Sequence, residues 1–344
     1  MGIHSYHKAV ETPVSFLKWV FLFLLVSSGV WAQPGGQKSF EFLNVSSNAR
    51  LSGLGGVNVS YLDKDVNFFQ SNPALVSDSM AGWGSLGYQF YVADIGVTSF
   101  TYAHDFNSIG TLGFGVQHFG YGTISGYDQT GAPTADYSAG ETVIVISKSH
   151  QVGNFRLGLN LKPAFSSIAG YRSSALLVDI GGTFVHPSKE LVVGMVIKNL
   201  GVVMQEYTET GSSTLPVDIQ AGITFKPEYM PLRFSFTAHQ LVNSSLNDET
   251  TDNQLRQLDK VLRHFNFGAE ILLHKKVNVL VGYNYLIHQD LKLENGGGGA
   301  GVSFGFVART KFFEFIFSRG GYVAGSAGYS FSLLSNFNNF LKKS

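Results

Sequence analysis

One stretch of alternating acidic residues has part of a calcium-binding pattern. Asp63, Asp65 and Asn67 are spaced like the first oxygen ligands of an EF-hand loop. Phe68 stands where that loop needs a glycine, and Ala74 stands where it needs the closing glutamate. The stretch therefore does not predict a calcium site.

Other catalytic and cofactor patterns are equally incomplete. Gly296, Gly298 and Gly301 match a dinucleotide-binding spacing, but they precede a predicted strand instead of opening a helix, which favours a hairpin loop. The ten histidines are scattered with no pair at ligand spacing, and no nucleophile-elbow sequence places a catalytic triad. The absence of cysteine excludes disulfides, thiolate metal sites and cysteine nucleophiles. We therefore expect no enzymatic activity, no cofactor and no bound metal.

Several charged residues instead fall within segments of alternating polarity. Residues 155–165, 216–226 and 232–240 place apolar side chains at every second position. This period of two is typical of a β-strand, because successive side chains point to opposite faces. The cations on the polar sides of these runs and of 191–200 are Arg156, Lys162, Lys198, Lys226 and Arg233. A charge facing lipid near mid-membrane costs about 2–4 kcal/mol, so we predict that these cations face the lumen of a barrel. There they would stabilise a plug, fill the lumen or select a solute.

The runs have the length that a membrane-crossing strand needs, about ten residues. From Trp83 onwards the sequence predicts fourteen strands, at 83–91, 94–104, 110–119, 138–149, 155–165, 175–186, 191–200, 216–226, 232–240, 264–274, 277–288, 298–309, 312–319 and 323–334. Their connections mostly alternate between short and long, as in barrels with short periplasmic turns and long external loops. We predict an all-β outer-membrane antiparallel β-barrel of about 14 strands over 83–335, with a C-terminal tail at 336–344.

The start of the chain predicts export to the cell outer membrane. Lys18 ends a weakly basic segment, and about a dozen apolar residues follow at 19–30. Small residues before Gln33 suit a signal peptidase, so residues 1–32 are predicted to be a cleaved signal peptide. A transmembrane anchor is the alternative, although this run is shorter than the ~20 residues of a spanning helix. The formal net charge of zero argues against a nucleic-acid partner.

Residues 33–82 differ from the rest of the exported chain. They lack clean alternation and contain many small residues, and Asn72-Pro73-Ala74 has turn or helix-start chemistry. An unstructured leader is the alternative, but the apolar content of 51–69 favours burial. We predict that 33–82 form an N-terminal plug, or hatch, inside the barrel or against its periplasmic mouth.

These N-terminal motifs carry a family resemblance. The glycine-rich residues 54–59, the acidic stretch 61–67 and Asn72-Pro73-Ala74 ahead of a strand resemble the hatch of the long-chain fatty acid transporter (FadL-like) barrels, a fold with fourteen strands and a plug. Longer runs resemble, more specifically, the PorQ family of outer-membrane barrels from the type IX protein secretion system. These runs are 87–95, 102–106, 161–172, 196–201 and 224–233. The resemblance spans nearly the whole exported chain and is weakest at 244–263 and in the C-terminal tail.

The resemblance to the PorQ family implies a non-catalytic member of a cell-surface attachment complex. That complex contains PorU-, PorV- and PorZ-like proteins, removes the C-terminal signal of secreted cargo and joins the cargo to anionic lipopolysaccharide. The PorQ-like barrel would anchor the PorZ-like surface protein, and direct binding of lipopolysaccharide stays open. We expect the loops at 120–137, 201–215 and 241–263 to form the docking surface. The candidate anchors are Tyr121, Tyr127, Tyr137 and Tyr207, because exposed tyrosines bring large contact area at modest entropic cost. The same tyrosines would equally suit an external aromatic belt.

A FadL-type outer-membrane transporter of hydrophobic solutes is the alternative function. It would need an apolar path through the hatch and a lateral or axial exit. The short first connection at 92–93 is compatible with such an exit. The predicted lumenal cations instead favour a polar, plugged interior, and the resemblance favours docking.

Overall fold

The computed structural model describes residues 39–46, 48–91, 95–128, 130–211, 213–242, 257–291, 299–323 and 326–341. The predicted signal peptide, residues 33–38 of the predicted plug, the first connection at 92–93 and most of the loop at 241–263 lie outside the described residues. So do Gly296, Gly298 and the last residues of the predicted tail.

Fourteen antiparallel strands form a closed barrel, in which each strand pairs with its neighbours in sequence and the last pairs with the first. The predicted fold class and strand number are thereby confirmed. The strands are β1 (Trp83–Phe90), β2 (Gly96–Phe106), β3 (Gly110–Ile124), β4 (Tyr137–Val152), β5 (Phe155–Ile168), β6 (Tyr171–Val185), β7 (Leu191–Gln205), β8 (Asp218–Phe225), β9 (Leu232–Ala238), β10 (Phe265–His274), β11 (Val277–Asn284), β12 (Val302–Arg309), β13 (Phe313–Val323) and β14 (Ser326–Asn336).

The two faces of the wall have opposite polarity. On β5, Leu157 is 63% exposed on the outer face, whereas Asn160 on the inner face is 0% exposed. A water-soluble barrel would place these side chains the other way round, so the outer face is built to contact lipid. We call the end of the barrel with the longer connections the external end, and the end with the short turns the periplasmic end.

Strands β3 to β7 are longer than the sequence predicted, at 14 to 16 residues each. The predicted strands 155–165 and 175–186 left a long loop at 166–174, but only Ala169 and Gly170 separate β5 from β6. Both have positive φ angles, 51° and 86°, which suits the tight turn of a two-residue hairpin. The serine-rich residues beside this turn pair across the strands above the apolar band, where alternation of hydrophobicity no longer marks a strand.

Short helices occur at strand ends and inside the barrel. Among the described residues, the α-helices are α1 (Ala49–Gly53), α2 (Gln257–Leu262), α3 (Tyr285–Leu291) and α4 (Asn338–Leu341), and the 3-10 helices are Glu41–Asn44, Val66–Gln70, Pro73–Leu75 and Asp78–Met80. The strand predicted over 277–288 ends at Asn284, whose side-chain oxygen accepts a hydrogen bond from the backbone N–H of Ile287 at 3.2 Å and so caps α3. None of the helices in the described part of the chain is long and apolar enough to cross a membrane.

Candidate functional site

Residues 39–46 and 48–82, which we call the lumenal segment, lie inside the barrel. The backbone N–H of Ser39 donates to the carbonyl of Thr214, in the external connection between β7 and β8, at 3.0 Å. Helix α1 packs against the opposite wall: the backbone N–H of Ala49 donates to Ser332 Oγ, and Ser303 Oγ donates to the carbonyl of Gly53, both at 3.1 Å. The segment therefore spans the lumen and is held on both sides.

Arg50 is the centre of the attachment and is only 1% exposed. Its Nε lies 2.7 Å from Asp65 Oδ2, its Nη1 lies 2.9 Å from Glu270 Oε1 on β10, and its Nη2 pairs with Glu314 on β13. Its Nη1 also donates to the hydroxyl of Tyr61 at 3.2 Å. One guanidinium thus joins the lumenal segment to itself and to two strands, through charge-assisted hydrogen bonds, the stronger kind in proteins.

Other cations complete this arrangement. Arg233 on β9 lies 2.9 Å from Glu270 Oε2 and 3.5 Å from Asp63 Oδ2 through its Nη1, and Arg309 Nε lies 2.8 Å from Glu314 Oε2. Lys64 Nζ lies 3.8 Å from Glu314 Oε2. We call Arg50, Lys64, Arg233, Arg309, Asp63, Asp65, Glu270 and Glu314 the lumenal ion network; its four cations and four carboxylates balance in formal charge.

The network explains the incomplete calcium motif. Asp63 and Asp65 face arginine side chains, and burial would raise the pKa of the Asp63 carboxyl, but Arg50 and Arg233 outweigh it and keep that pKa below its ordinary value. No cluster of three or more metal-binding side chains occurs among the described residues. Sequence analysis did not identify the network. A usable signal was present, since Glu270 and Glu314 stand at inward positions of their strands.

The Asn72-Pro73-Ala74 motif meets the wall at a different place. Asn72 Oδ1 accepts a hydrogen bond from the backbone N–H of Ala74 at 3.0 Å, and its Nδ2 donates to the carbonyl of Val59 at 2.8 Å. The wall opposite carries glycines at inward positions of β5 and β6. A Cβ at Gly158 would lie 2.3 Å from the backbone nitrogen of Ala74, and one at Gly181 would lie 2.0 Å from Asn72 Oδ1. The motif can therefore approach the wall only because side chains are missing there.

The five cations predicted to face the lumen occupy different places. Arg233 belongs to the network, and Arg156 Nη1 donates to the carbonyl of Val76 at 3.0 Å. Lys162 Nζ lies 2.7 Å from Asp179 Oδ1 inside the wall. Lys198 lines a small cavity beside the lumenal segment. Lys226 lies one residue beyond the end of β8, at the periplasmic rim, where it pairs with Glu190 at 2.5 Å.

Of the four candidate docking tyrosines, two are exposed and two are half-buried. Tyr127 is 66% exposed and Tyr137 is 38% exposed at the external end. Tyr121 lies within β3, and its hydroxyl pairs with Glu141. The hydroxyl of Tyr207 donates to Ser166 Oγ at 2.6 Å. Tyr121 and Tyr207 are thus half-buried and bonded to the barrel wall, which corrects their expected role as exposed anchors.

Within the described part of the chain, two of the cavities lie between the lumenal segment and the wall. The smaller, of about 50 Å³, is lined by Lys162, Lys198, Asn58, Gln70 and Gln117 among others. The buried amide nitrogens of Asn58, Gln70 and Gln117 have no hydrogen-bond partner among the described residues, so we expect water to fill this space. The larger cavity, of about 260 Å³, opens towards the external end. Its lining mixes apolar residues with polar ones such as Asn44, Asp218, His239 and Asn284.

His239, which lines the larger cavity just beyond the end of β9, gives a pH prediction. Burial, with a smaller contribution from His264, lowers the pKa of His239 to about 4, against about 6.5 for an unfolded chain. Below pH 6.5 the unfolded state therefore takes up the proton first, and the free energy of unfolding falls as the pH drops from 6.5 to 4. The loss should reach about 3 kcal/mol, as measured by urea unfolding in detergent at several pH values. In the His239→Gln variant, the free energy of unfolding should depend less on pH between 6.5 and 4. An unchanged pH dependence in that variant would contradict the role assigned to His239.

Comparison with known proteins identifies the fold. No known protein-family model matches the chain, and no curated protein matches its sequence. Among solved structures, it resembles the toluene transporter TbuX from Ralstonia pickettii, with 12% identity, a TM-score of 0.53, and coverage of 86% of this chain and 100% of TbuX. It resembles a deltaS2 mutant of the TodX monoaromatic hydrocarbon channel equally well, with 12% identity, a TM-score of 0.53, and coverage of 86% and 98%. At these identities the likeness shows the fold alone, which is that of the TbuX and TodX barrels.

Proposed function

We propose that the protein is a non-catalytic outer-membrane barrel that anchors a PorZ-like surface protein beside PorU- and PorV-like members of an attachment complex, as the resemblance to the PorQ family implies. The observation that carries this proposal is the lumenal ion network, which holds the lumenal segment across the barrel. Removing one partner from a buried ion pair costs about 3–5 kcal/mol. A segment held by several such pairs acts as a fixed plug instead of a gate.

The shape of the external end supports a docking role. The last pair between β2 and β3 is Gly96–Gly120, and the last pair between β7 and β8 is Lys198–Asp218. Strand β7 continues to Gln205, seven residues beyond that pair, which is about 23 Å of extended chain. Strands β3 to β7 therefore form a raised wall on one side of the barrel. We propose this wall, which carries Tyr127 and Tyr137, as the docking surface.

Affinity purification from detergent-solubilised outer membranes tests this function. The tagged wild-type protein should retain a surface partner that has no membrane anchor of its own. The double variant Tyr127→Ser/Tyr137→Ser should lose that partner, because its exposed aromatic contacts are removed.

Tyr229→Ser is the matched control, since Tyr229 is 92% exposed in the periplasmic turn between β8 and β9. This control should retain the partner. Equal retention by the double variant and the control would contradict the proposed docking surface. A barrel that elutes alone would contradict the docking function itself.

FadL-type transport of hydrophobic solutes is the second candidate. The likeness to TbuX and TodX favours it, and the comparisons support it better than they support docking, since the names of both neighbours describe hydrocarbon passage. The interior of the barrel does not favour transport of hydrophobic solutes, because the wall around the lumenal segment is polar. Uptake of radiolabelled toluene or oleate into proteoliposomes decides between the two. If the protein only docks a partner, uptake should be no faster than into liposomes without protein. Faster uptake would favour transport.

A further inference from the structure

One arginine lies on the lipid-facing side of the barrel. Arg319 shares the outward face of β13 with Phe315 and Phe317, and its Cζ lies 5.6 Å from the ring centroid of Phe304 on β12. In the strand register it pairs with Phe304 on one side and with Tyr329 on the other. A cation within such an aromatic row is at headgroup depth in a membrane barrel. Among the described residues, Arg319 has no carboxylate partner.

An apolar groove begins next to this row, on its periplasmic side. It has a volume of about 650 Å³ and crosses β12, β13, β14, β1 and β2 on the outer face. Its outward side chains are Leu86, Tyr88, Phe306, Phe315, Phe317 and Phe331. The pair Phe306–Phe317 lies two residues from the pair Phe304–Arg319, towards the periplasmic end, or about 7 Å deeper. The guanidinium thus lies above the groove on the side of the external end.

We propose that this face binds one phosphorylated glycolipid of the outer leaflet, with a phosphate on Arg319 and an acyl chain in the groove. A guanidinium forms bidentate hydrogen bonds to phosphate, and the depth of the groove below Arg319 matches the order of headgroup and acyl chain in a lipid. The inference uses the membrane orientation of the proposed function but not the surface partner. The protein could therefore retain its surface partner without binding the lipid, or bind the lipid without retaining the partner.

Charge complementarity selects a lipid over a second copy of the chain. A symmetric dimer through this face would bring two Arg319 side chains together in an apolar interface, and the groove itself offers no carboxylate to pair with them. An anionic lipid supplies the missing charge. A lipid with no net negative charge would fill the groove but leave the guanidinium without that charge.

Native mass spectrometry of the detergent-purified protein tests the proposal, with purified lipid A and phosphatidylcholine as the added lipids. The wild type should bind one lipid A in preference to phosphatidylcholine. Arg319→Gln should weaken lipid A binding at least tenfold. The control Arg172→Gln, which changes an exposed arginine beside the β5–β6 turn, should bind like the wild type.

A second variant separates the acyl contact from the phosphate contact. Thr98 lines the groove on β2, and Thr98→Trp should fill it and weaken lipid A binding while Arg319 is retained. Heat-modifiable migration in gels verifies that each variant is folded. Equal binding of lipid A by Arg319→Gln and wild type would overturn the proposal. So would equal binding of phosphatidylcholine, or a dimer that Thr98→Trp abolishes.

Discussion

Replacement of Arg50 by methionine is expected to lower the free energy of unfolding by about 3–5 kcal/mol and to release the lumenal segment from the wall. The variant leaves Asp65, Glu270 and Glu314 buried without the cation that they share. Uncompensated buried charges of this kind account for the large cost of breaking a buried ion pair. Arg233 and Arg309 still hold one oxygen each of Glu270 and Glu314, which leaves Asp65 as the most affected carboxylate.

The chain provides its own optical reporter for this experiment. Trp19 and Trp31 fall within the predicted signal peptide, so a chain starting at Gln33 contains Trp83 alone. Lys64 Nζ lies 4.3 Å from the ring centroid of Trp83, which places the fluorophore beside the network. Urea unfolding followed by tryptophan fluorescence therefore reports both the stability of the barrel and the state of the lumenal segment.

Two comparisons define the outcome for Arg50→Met. The control Arg172→Met should unfold like the wild type, because Arg172 is exposed at the external end. Adding Asp65→Asn to Arg50→Met should recover part of the loss, since an amide tolerates burial better than an unpaired carboxylate. Conductance across planar bilayers should rise for Arg50→Met. A loss below about 1 kcal/mol with unchanged conductance would contradict the assigned role of the network.

Valine in place of Gly158 is expected to prevent the Asn72-Pro73-Ala74 motif from reaching the wall, at a cost of about 3 kcal/mol or more. The added Cβ would lie 2.3 Å from both the carbonyl carbon of Pro73 and the backbone nitrogen of Ala74. These are backbone atoms that cannot rotate aside, so the strand or the lumenal segment must move. Overpacking of a buried site typically costs about 1–3 kcal/mol, and a clash with backbone should lie at the upper end.

Gly182→Val is the matched control for this variant. Gly182 lies on β6 beside Gly181, the partner of Gly158, but a Cβ there would make only ordinary contacts, with Leu157 Cδ2 at 3.6 Å and the carbonyl oxygen of Arg156 at 3.9 Å. Both variants add the same side chain to neighbouring strands, and only Gly158→Val should lower the unfolding midpoint in urea and raise the bilayer conductance. Similar behaviour of the two variants would mean that close approach of the motif is not required.

The sequence predicted the barrel because the membrane imposes a local rule on each strand. Residues such as Leu157 and Asn160 must face lipid and lumen respectively, so polarity alternates within a few positions and every strand can be located from its own residues. Beyond the membrane, the outer face no longer contacts lipid, and polarity no longer has to alternate along the strand. Serines 166, 167, 173 and 174 carry no alternation, and the sequence therefore gave no sign that β5 and β6 continue to a two-residue turn.

For the lumenal ion network, the sequence places Glu270 and Glu314 at inward strand positions but does not show which cation they meet. The partners in the network are distant along the chain, and nothing near Arg50 indicates that Glu270 and Glu314 lie beside it. The acidic stretch at 63–65 resembled a calcium loop because local spacing cannot distinguish a metal from a guanidinium. For Tyr121 and Tyr207, residue type predicted exposed anchors, but their orientation depends on hydroxyl partners that are distant in the sequence, Glu141 on β4 and Ser166 on β5.

The separations within the network also constrain the order in which the chain folds. Arg50 bonds to residues 220 and 264 positions later in the chain, so the first described part of the protein needs nearly the last strands to complete its contacts. Contacts of such high sequence separation form late, because the intervening chain must be ordered first. The lumenal segment cannot dock fully before β13 is in place, and the next strand, β14, pairs with β1. Barrel closure and docking of the N-terminal segment are thereby coupled into one late folding step, and a barrel that closed early would exclude its own plug.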